Sequence, residues 1–258
     1  MNKIDYDAHQ HRSYQAGRAH PDATLQRWMA LLASRVGDRQ VDLIVDVGAG
    51  TGRFSARLAD AFGARVIGVE PSDRMRALAE EGTRDPRVSF LKGEATRIPL
   101  DSGSTTFAYM SMVLHHVTKP DVCAQELYRV LQPGGFVFIR NAFRERLETI
   151  RYHAYFPRTR DIDAAWLPSI ADIQRRFADS GFEVMPAEGV TYEVDASLAD
   201  YCARIETRAI STLEHLSEEE FQAGLTALRE AVARERQPAP VCATLDLLAF
   251  RKPARAES

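Results

Sequence analysis

A glycine-rich loop and the two carboxylates around it are the residues whose types and spacing best predict chemistry. The loop has the pattern G-x-G-x-G, with Gly48, Gly50 and Gly52, and it follows an apolar run that ends at Val47. Glycines allow a tight turn and a close approach of the backbone to a ligand. A dinucleotide-binding turn of the pattern G-x-G-x-x-G needs a further glycine where this chain has Arg53. The loop therefore weakens the alternative of an NAD-dependent oxidoreductase.

The carboxylates narrow the choice of ligand. Asp46 stands just before the loop, where it would repel a pyrophosphate but suits a ligand with an ammonium group. Glu70 ends the next apolar run, at the spacing expected of a carboxylate that accepts hydrogen bonds from both ribose hydroxyls of an adenosine. S-adenosylmethionine (SAM) carries an ammonium, a sulfonium and a ribose, and it has no phosphate. The loop and its carboxylates therefore predict an adenosyl ligand of this kind.

Short β-branched runs alternate with amphipathic segments of helix length on both sides of the loop. Strands are predicted at residues 42–47, 65–69, 88–91, 107–110, 136–139 and 241–250. Helices are predicted at residues 53–61, 72–80, 121–131, 168–180, 198–213 and 217–234. The last helix opens with Ser217 and Glu220 at capping-box spacing, and the aromatic-rich residues 152–166 predict a lid or substrate loop. The alternation is typical of a doubly wound α/β fold with a mostly parallel sheet.

Three further motifs follow the glycine loop in order. They are Glu-Pro-Ser at residues 70–72, Gly-Glu-Ala-Thr-Arg-Ile-Pro-Leu at 93–100, and Leu-His-His-Val at 114–117 followed by Glu-Leu-Tyr-Arg-Val-Leu-Gln-Pro-Gly-Gly at 126–135. Together with the loop, they resemble the class I SAM-dependent methyltransferases, in particular the type 11 branch, over about residues 40–140. The resemblance implies a Rossmann-like sheet of seven strands whose last strand is antiparallel. It also implies SAM as the cofactor and S-adenosylhomocysteine (SAH) as the product.

The same resemblance implies roles for single residues. Glu94 would accept a hydrogen bond from the adenine amino group, the Ala95 amide would donate to the ring, and Arg18 would pair with the methionine carboxylate. Ser111 and Met112, at the end of the fourth predicted strand, are expected to line the methionine end of the cofactor, with a place in the core as the alternative for Met112. The full predicted cofactor-binding set is Arg18, Asp46, Gly48, Ala49, Gly50, Gly52, Glu70, Pro71, Glu94, Ala95, Ser111 and Met112. The chain departs from the family at residues 105–106, where two threonines replace the usual Phe-Asp that opens the fourth strand. We expect this departure to affect local geometry rather than cofactor binding.

Methyl transfer is an in-line displacement at a sulfonium with a neutral leaving group, so alignment of the reactants matters more than acid catalysis. A base is needed only where the acceptor is protonated. His115 and His116 follow the fourth predicted strand, at the carboxyl edge where ligands of open α/β sheets bind, and either could deprotonate a hydroxyl or an amine. The alternative is that the two histidines pack behind the site without touching the acceptor.

Acceptor-binding residues are predicted mainly in the second half of the chain. Asn141 ends the fifth predicted strand at the same edge, with a role in the turn as the alternative. Tyr152 lies in the aromatic-rich stretch, where rings provide apolar walls, and Arg204 lies on a predicted helix, from which an arginine can clamp a carboxylate or phosphate. Arg204 and Arg208 are four residues apart, so a solvated helix face is the alternative. Tyr14, near the N-terminus, completes the predicted acceptor set.

Composition limits the partners. A formal net charge of −3 provides no basic field for a phosphate backbone, and no Asn/Asp-Pro-Pro-aromatic motif occurs, so nucleic acid is disfavoured. No run of about 18 apolar residues occurs, which predicts no membrane span and a cytoplasmic location. The three cysteines are far apart and no residues have metal-ligand spacing, so no metal is expected.

We expect one domain over residues 1–258, with a core at about 40–140 and a helical elaboration at about 141–235. The predicted function is methyl transfer from SAM to O, N or C of a small-molecule acceptor, carried out by a monomer or homodimer. The alternative is a SAM- or SAH-binding protein that has lost turnover and has a regulatory or structural role. Cofactor binding without transfer to any acceptor would favour that alternative.

Overall fold

The structure is a computed structural model of the 258-residue chain, and it describes residues 22–208 and 210–254. Within these ranges the strands are β1 (Leu43–Val47), β2 (Arg65–Val69), β3 (Val88–Leu91), β4 (Thr105–Ser111), β5 (Leu131–Asn141), β6 (Glu183–Val184), β7 (Glu188–Asp195) and β8 (Val241–Arg251). The α-helices are α1 (Asp22–Val36), α2 (Arg53–Phe62), α3 (Asp73–Gly82), α4 (Pro120–Val130), α5 (Arg158–Trp166), α6 (Ile170–Asp179), α7 (Leu198–Glu206) and α8 (Glu218–Arg234). Short 3-10 helices lie at Leu114–His116, Arg144–Thr149, Arg151–Ala154 and Ser211–His215.

All eight strands form one sheet, in the order β3-β2-β1-β4-β5-β8, with β6 and β7 both on the outer side of β8. Strands β1 to β5 pair in parallel, and β8 is antiparallel to its neighbours. The expected doubly wound, mostly parallel sheet with an antiparallel last strand is confirmed. The strand order reverses between β1 and β4, which makes that edge the topological switch point where open α/β sheets bind ligands.

Helices cover both faces of the sheet. On one face, Trp28 and Leu32 of α1 and Leu58 of α2 pack against the sheet, and on the other face Leu127 of α4 and Phe177 of α6 do so. Because both faces are covered, β1 is buried along its whole length. This double burial explains why its sequence is a continuous apolar run interrupted only by Asp46.

A third hydrophobic cluster lies within the helical elaboration, away from the two faces of the central strands. It is built around α7 and α8, with Ile205 and Leu228 fully buried and Phe156 stacked on Phe221. Helix α8 starts with the predicted capping box: the Ser217 side chain accepts from the Glu220 amide, and the Glu220 carboxylate accepts from the Ser217 amide. The division into core and elaboration as one domain stays a prediction.

Several expectations for the second half of the chain are corrected. Part of the predicted loop at residues 152–166 is helix α5, because its Asp163 is held by buried partners from other segments. The single helix predicted at 198–213 ends at Glu206, and Arg208 adopts a left-handed φ of 52° after it. Strand β7 was not predicted because buried and exposed residues alternate along this sheet edge, so no apolar run marks it. Among the described residues, no helix has the length and apolarity needed to cross a membrane.

Candidate functional site at the switch point

The glycine loop after β1 needs glycine at its three marked positions. Gly48, Gly50 and Gly52 have φ of 71°, 58° and 74°, in the left-handed region that favours glycine. A Cβ at Gly48 would lie 2.3 Å from Cγ2 of Val113, and a Cβ at Gly52 would lie 2.5 Å from Cζ of Phe90. The loop is therefore packed tightly between the end of β4 and strand β3, and its backbone forms the surface at this point.

The amides of this loop already donate to protein acceptors. The Gly48 and Ala49 amides both donate to the carbonyl of Val69 at 2.8 and 3.3 Å, and the Gly52 amide donates to the Ala49 carbonyl at 2.9 Å. The Gly50 amide donates to Oε2 of Glu70 at 2.9 Å. A pyrophosphate site relies on such amides pointing at the ligand. This loop therefore suits a ligand without phosphates, as the sequence predicts.

Asp46 is buried at the end of β1 and lines the cavity beside the loop. Burial raises the pKa of its carboxyl to about 7, and the nearby charge of Glu70 adds to this, while a 2.7 Å hydrogen bond from the Ser55 hydroxyl lowers the pKa. A carboxyl with a pKa near neutrality becomes fully charged when a cation binds next to it, because the opposite charge favours the ionised form. Asp46 is thus poised for a ligand with an ammonium or sulfonium group.

Glu70 stands at the end of β2 and is held in place by backbone donors. Besides the Gly50 amide, its carboxylate accepts from the Ser72 amide at 3.0 Å, and Ser72 caps helix α3 through the Met75 amide. These bonds fix the carboxylate at the carboxyl edge of the sheet, next to the loop. Pro71 follows it and is exposed.

The predicted adenine-binding segment lies further along the same edge. Glu94 is exposed and exchanges backbone hydrogen bonds with Arg97, while Ala95 is half-buried against the cluster that contains Ile98. The role of the Glu-x-x-Arg motif of helix α4 was not predicted, and it follows from the contacts in the structure. Glu126 accepts from the Ile98 amide at 3.0 Å, and Arg129 donates to the carbonyls of Ile98 and Leu100. The motif therefore fixes the backbone of residues 98–100, next to the segment predicted to bind adenine.

A cavity of about 250 Å³ opens at the switch point and runs from the glycine loop to the helical elaboration. Its loop side includes the predicted cofactor residues Asp46, Gly48, Ala49, Ser111 and Met112. Its opposite side includes Tyr152 and Arg204 of the predicted acceptor set. The remaining described cofactor residues, which are Gly50, Gly52, Glu70, Pro71, Glu94 and Ala95, are not among those that line it. Arg18 and Tyr14 lie outside the described residues.

Met112 and Arg140 shape the middle of this cavity. Met112 has a left-handed φ of 55°, which is costly for a residue with a side chain, and its amide donates to the Arg140 carbonyl at 2.8 Å. Arg140 was not predicted as a site residue. Its guanidinium is buried, donates to the Ser111 hydroxyl at 3.0 Å and lies 4.9 Å from the ring of Trp28. The available signal was an arginine directly after the apolar run at residues 136–139.

His115, His116 and Asn141 do not reach the cavity and are not among the described residues that line it. Nδ1 of His115 lies 3.1 Å from Oδ1 of Asn141, and both imidazoles pack against the ring of Trp166, which donates to the His115 carbonyl. Asn141 is fully buried, and its Nδ2 donates to the Ala142 carbonyl at 2.6 Å. The structure thus places Asn141 behind the cavity wall, where its amide group contacts protein rather than a bound acceptor.

Tyr152 and Arg204 line the cavity, but each already has an acidic partner. The Tyr152 hydroxyl donates to Asp163 at 2.5 Å, and burial with that neighbouring charge raises the pKa of Tyr152 well above its usual value. The Arg204 guanidinium makes a two-pronged contact with Asp195, with a shortest distance of 2.7 Å. The alternative of a solvated face is wrong for Arg204, whose side chain is 20% exposed. Among the described residues, no group of three His, Cys, Asp or Glu side chains could hold a metal ion.

A doubly wound sheet with a G-x-G-x-G loop at the switch point and carboxylates at the ends of β1 and β2 is the arrangement that the sequence resemblance implies. Residues 45–139 match the family described as methyltransferase domain. Over residues 45–139 the chain is thus similar to the methyltransferase domain, and the resemblance seen in the sequence motifs is confirmed.

Individual relatives cover different parts of the chain. An uncharacterized methyltransferase of Mycobacteroides abscessus is 39% identical over 99 residues, which are 37% of this chain and 38% of that relative. A protein from an antibiotic biosynthesis pathway of Anabaena variabilis has the same fold, with a TM-score of 0.68, 19% identity and coverage of 86% of this chain and 96% of that one. A phosphoethanolamine N-methyltransferase of Haemonchus contortus, solved with SAH, has a TM-score of 0.58 and 20% identity over 88% of this chain and 52% of its own. The sequence match thus spans well under half of the mycobacterial relative.

Proposed function

We propose that this protein transfers a methyl group from SAM to O, N or C of a small-molecule acceptor and releases SAH. The observation that carries the proposal is the state of the glycine loop. Four of its amides are bound to protein acceptors, and a buried carboxyl lies beside them, so the site favours a cationic adenosyl ligand over a dinucleotide. The same cavity continues to a wall of the helical elaboration, which leaves room for an acceptor next to the cofactor.

Each predicted cofactor residue has a place in this proposal. Asp46 would bind the ammonium of SAM, Glu70 the ribose hydroxyls, and Glu94 with the Ala95 amide the adenine. Ser111 and Met112 would line the methionine end, next to the buried guanidinium of Arg140. SAM would supply the activated methyl group on its sulfonium. The protein would contribute alignment and exclusion of water, which this displacement requires more than it requires a general acid.

Calorimetric titration with SAH, SAM and NADH tests the cofactor. We expect SAH and SAM to bind and NADH not to bind. Glu70→Gln should weaken SAH binding at least about tenfold, because it removes the charged acceptor of the hydrogen bonds from the ribose hydroxyls. Glu81→Gln, on the exposed end of helix α3, is the matched control and should bind SAH as the wild type does. Tighter binding of NADH than of SAH would refute the proposal.

Methyl transfer itself is tested with labelled SAM against a panel of small acceptors that bear hydroxyl, amine or activated carbon groups. Transfer to a member of the panel would support the enzyme. Strong SAH binding with no transfer to any acceptor would favour a silent SAM- or SAH-binding protein instead. A cytoplasmic location and a monomeric or homodimeric state are part of the proposal, and light scattering at a range of protein concentrations tests the latter.

A further inference from the structure

The wall of the cavity opposite the glycine loop carries two polar groups to which the proposed function gives no role, the Tyr201 hydroxyl and the Arg151 guanidinium. Tyr201 of helix α7 is 2% exposed and lines the cavity, and its hydroxyl has no hydrogen-bond partner among the described residues. Arg151 also lines the cavity. In the described part of the chain it forms no ion pair, and its contacts are the ring of Tyr155 at 5.9 Å and that residue's hydroxyl at 3.4 Å. Both groups belong to the helical elaboration.

A buried hydroxyl without a partner needs an explanation, because native proteins satisfy almost all such groups. The other tyrosine on this wall shows the usual solution, since the Tyr152 hydroxyl donates to buried Asp163. Tyr201 and Arg151 line the same cavity, and the Arg204 guanidinium lies 5.1 Å from the Tyr201 ring. Burial raises the pKa of Tyr201; the charges of Arg204 and Arg151 oppose this, while the charge of Asp195 adds to it. A ligand oxygen between Tyr201 and Arg151 would satisfy both groups at once.

The charges that line the cavity indicate the sign of such a ligand. Among the described lining residues there are four arginines, Arg53, Arg140, Arg151 and Arg204, and one carboxyl, Asp46. Asp195 neutralises Arg204 from outside the lining. SAM adds one net positive charge, because its ammonium and sulfonium outweigh its carboxylate. An anionic acceptor would therefore be attracted into the cavity, whereas a cationic acceptor would be repelled.

Most of the remaining wall is apolar or aromatic. These members are Ile150, Tyr152, Tyr192, Val194, Ile210, Val241, Ala243 and Leu245, and Thr149, Cys242 and Thr244 line the cavity beside them. Apolar and aromatic walls with few polar groups bind the body of a small molecule and leave orientation to those polar groups. The wall thus suits a compact apolar or aromatic body with one charged end.

We propose that the acceptor is a carboxylic acid with an apolar or aromatic body, and that Arg151 and the Tyr201 hydroxyl bind its carboxylate. The proposal rests on the proposed methyl transfer and adds the substrate class to it. A planar guanidinium can bind both carboxylate oxygens, and the phenol can donate a further hydrogen bond to one of them. With the carboxylate held on the elaboration, the other end of the acceptor faces the glycine loop, Ser111 and Met112. A phosphate monoester is also an anion with oxygen acceptors, although it carries more negative charge than a carboxylate, so the experiment includes one.

The experiment measures binding of acid and amide pairs by calorimetry, with and without saturating SAH. The probes are benzoate, 4-hydroxybenzoate and indole-3-acetate, each against its neutral amide, together with phenyl phosphate. We expect at least one acid to bind about tenfold more tightly than its amide, because the amide cannot satisfy the guanidinium. The variant Arg151→Gln, at an exposed position, should abolish this preference, and Tyr201→Phe should reduce the affinity for the acid several-fold. The matched control is Arg234→Gln, on the far end of helix α8.

Tyr201→Phe also separates binding from folding. Since the hydroxyl has no partner to lose among the described residues, the thermal midpoint of the free variant should equal or exceed that of the wild type. Equal binding of acids and amides, no binding of any acid, or a preference that survives Arg151→Gln would overturn the inference. Tighter binding of phenyl phosphate than of every carboxylate would replace the carboxylate by a phosphate monoester. If SAH binds without any acid preference, only this inference fails. If acids bind but SAH does not, the proposed methyl transfer fails, and Arg151 and Tyr201 form an acid-binding site whose ligand is not a methyl acceptor.

Discussion

The two walls of the cavity are built from different parts of the chain. On the side of β1, the wall is built on the backbone of the glycine loop, where Gly48 and Ala49 line the cavity and their amides donate to the Val69 carbonyl of β2. On the side of the helical elaboration, side chains form it, through tyrosines, arginines and aliphatic groups from the 3-10 helix at Arg151–Ala154, from β7 and from α7. A substitution on the first wall must disturb the path of the chain, whereas one on the second can change a single contact.

Under the proposed function, the first wall binds the cofactor and the second wall binds the acceptor. A surface made of backbone is hard to change by substitution, which suits a cofactor that is the same in every turnover. A side-chain surface can change its acceptor with little cost to the fold. The match to the methyltransferase domain ends at residue 139, so it covers the first wall and stops before the second. Four predictions test the contrast, from the largest expected effect to the smallest.

Gly48→Ala should have the largest effect. The new Cβ would lie 2.3 Å from the side chain of Val113, and the left-handed φ of 71° adds backbone strain. Overpacking costs about 1–3 kcal/mol and the strain about 1–2 kcal/mol, so we expect a loss of about 2–5 kcal/mol in the free energy of unfolding. SAH binding should be lost as well, because the loop must move. Urea unfolding and calorimetry measure the two effects.

Gly63→Ala is the matched control for this variant. Gly63 has a similar φ of 62° after helix α2, but a Cβ there would meet no atom within 4 Å. Only the strain of about 1 kcal/mol should appear, and SAH binding should be unchanged. Equal losses for the two alanine variants would show that the loop wall is not packed as tightly as the structure shows.

Asp163→Asn should destabilise the second wall and leave the first intact. The buried Asp163 carboxylate accepts from the Tyr152 hydroxyl and the Thr212 hydroxyl and lies 2.9 Å from Nε2 of His153. Replacing it leaves buried donors without an acceptor, at about 3 kcal/mol. Hydrogen exchange should rise in residues 151–166 and 211–215, which contain the partners of Asp163. SAH affinity should stay within about threefold, because the glycine loop lies on the other wall of the cavity. The control is the exposed neighbour Asp161→Asn, which should change neither the hydrogen exchange nor the SAH affinity. A loss of SAH binding in Asp163→Asn would show that the two walls are coupled.

SAH affinity should depend on pH through Asp46. Its pKa is raised from 3.8 to about 7, so below pH 7 the carboxyl in the free protein is protonated and a bound ammonium must displace that proton. Affinity should therefore fall by up to about tenfold per pH unit below 7 and level off above it. The stability of the free protein should change in the opposite sense, decreasing as pH rises from about 4 to 7, because the unfolded chain releases this proton first.

Asp46→Asn is the control for this dependence. It cannot titrate, so both the slope in SAH affinity and the decrease in stability over this range should be absent. Calorimetry and urea unfolding between pH 5 and 8 measure them. An unchanged slope in the variant would assign the pH dependence to another group.

The first wall could be predicted from the sequence and the second could not, for physical reasons. Backbone demands leave local signals: glycine is required where φ is left-handed, and an apolar run marks a strand buried on both faces, as at Gly48 and β1. Tertiary partners leave no such signal. The residues near Tyr152 in the sequence do not indicate that its hydroxyl binds Asp163, or that Thr212 binds the same carboxylate. Arg140 was not predicted as a site residue because its aromatic neighbours, such as Trp28, come from distant segments. The sequence predicted Tyr152 and Arg204 by residue type, but not which groups they bind.

The smallest effect is expected at the two histidines, whose place behind the wall the sequence left open. Because neither lines the cavity and both rings pack on Trp166, His115→Gln and His116→Gln should leave SAH affinity within about threefold and lower methyl transfer less than about tenfold. A general base contributes roughly 100-fold or more to rate, so a loss of that size in one variant, with SAH affinity unchanged, would mean that this histidine reaches the acceptor when both substrates are bound. Such a result would also mean that the acceptor is bound by both walls, because the segment after β4 would then contact it through a histidine side chain.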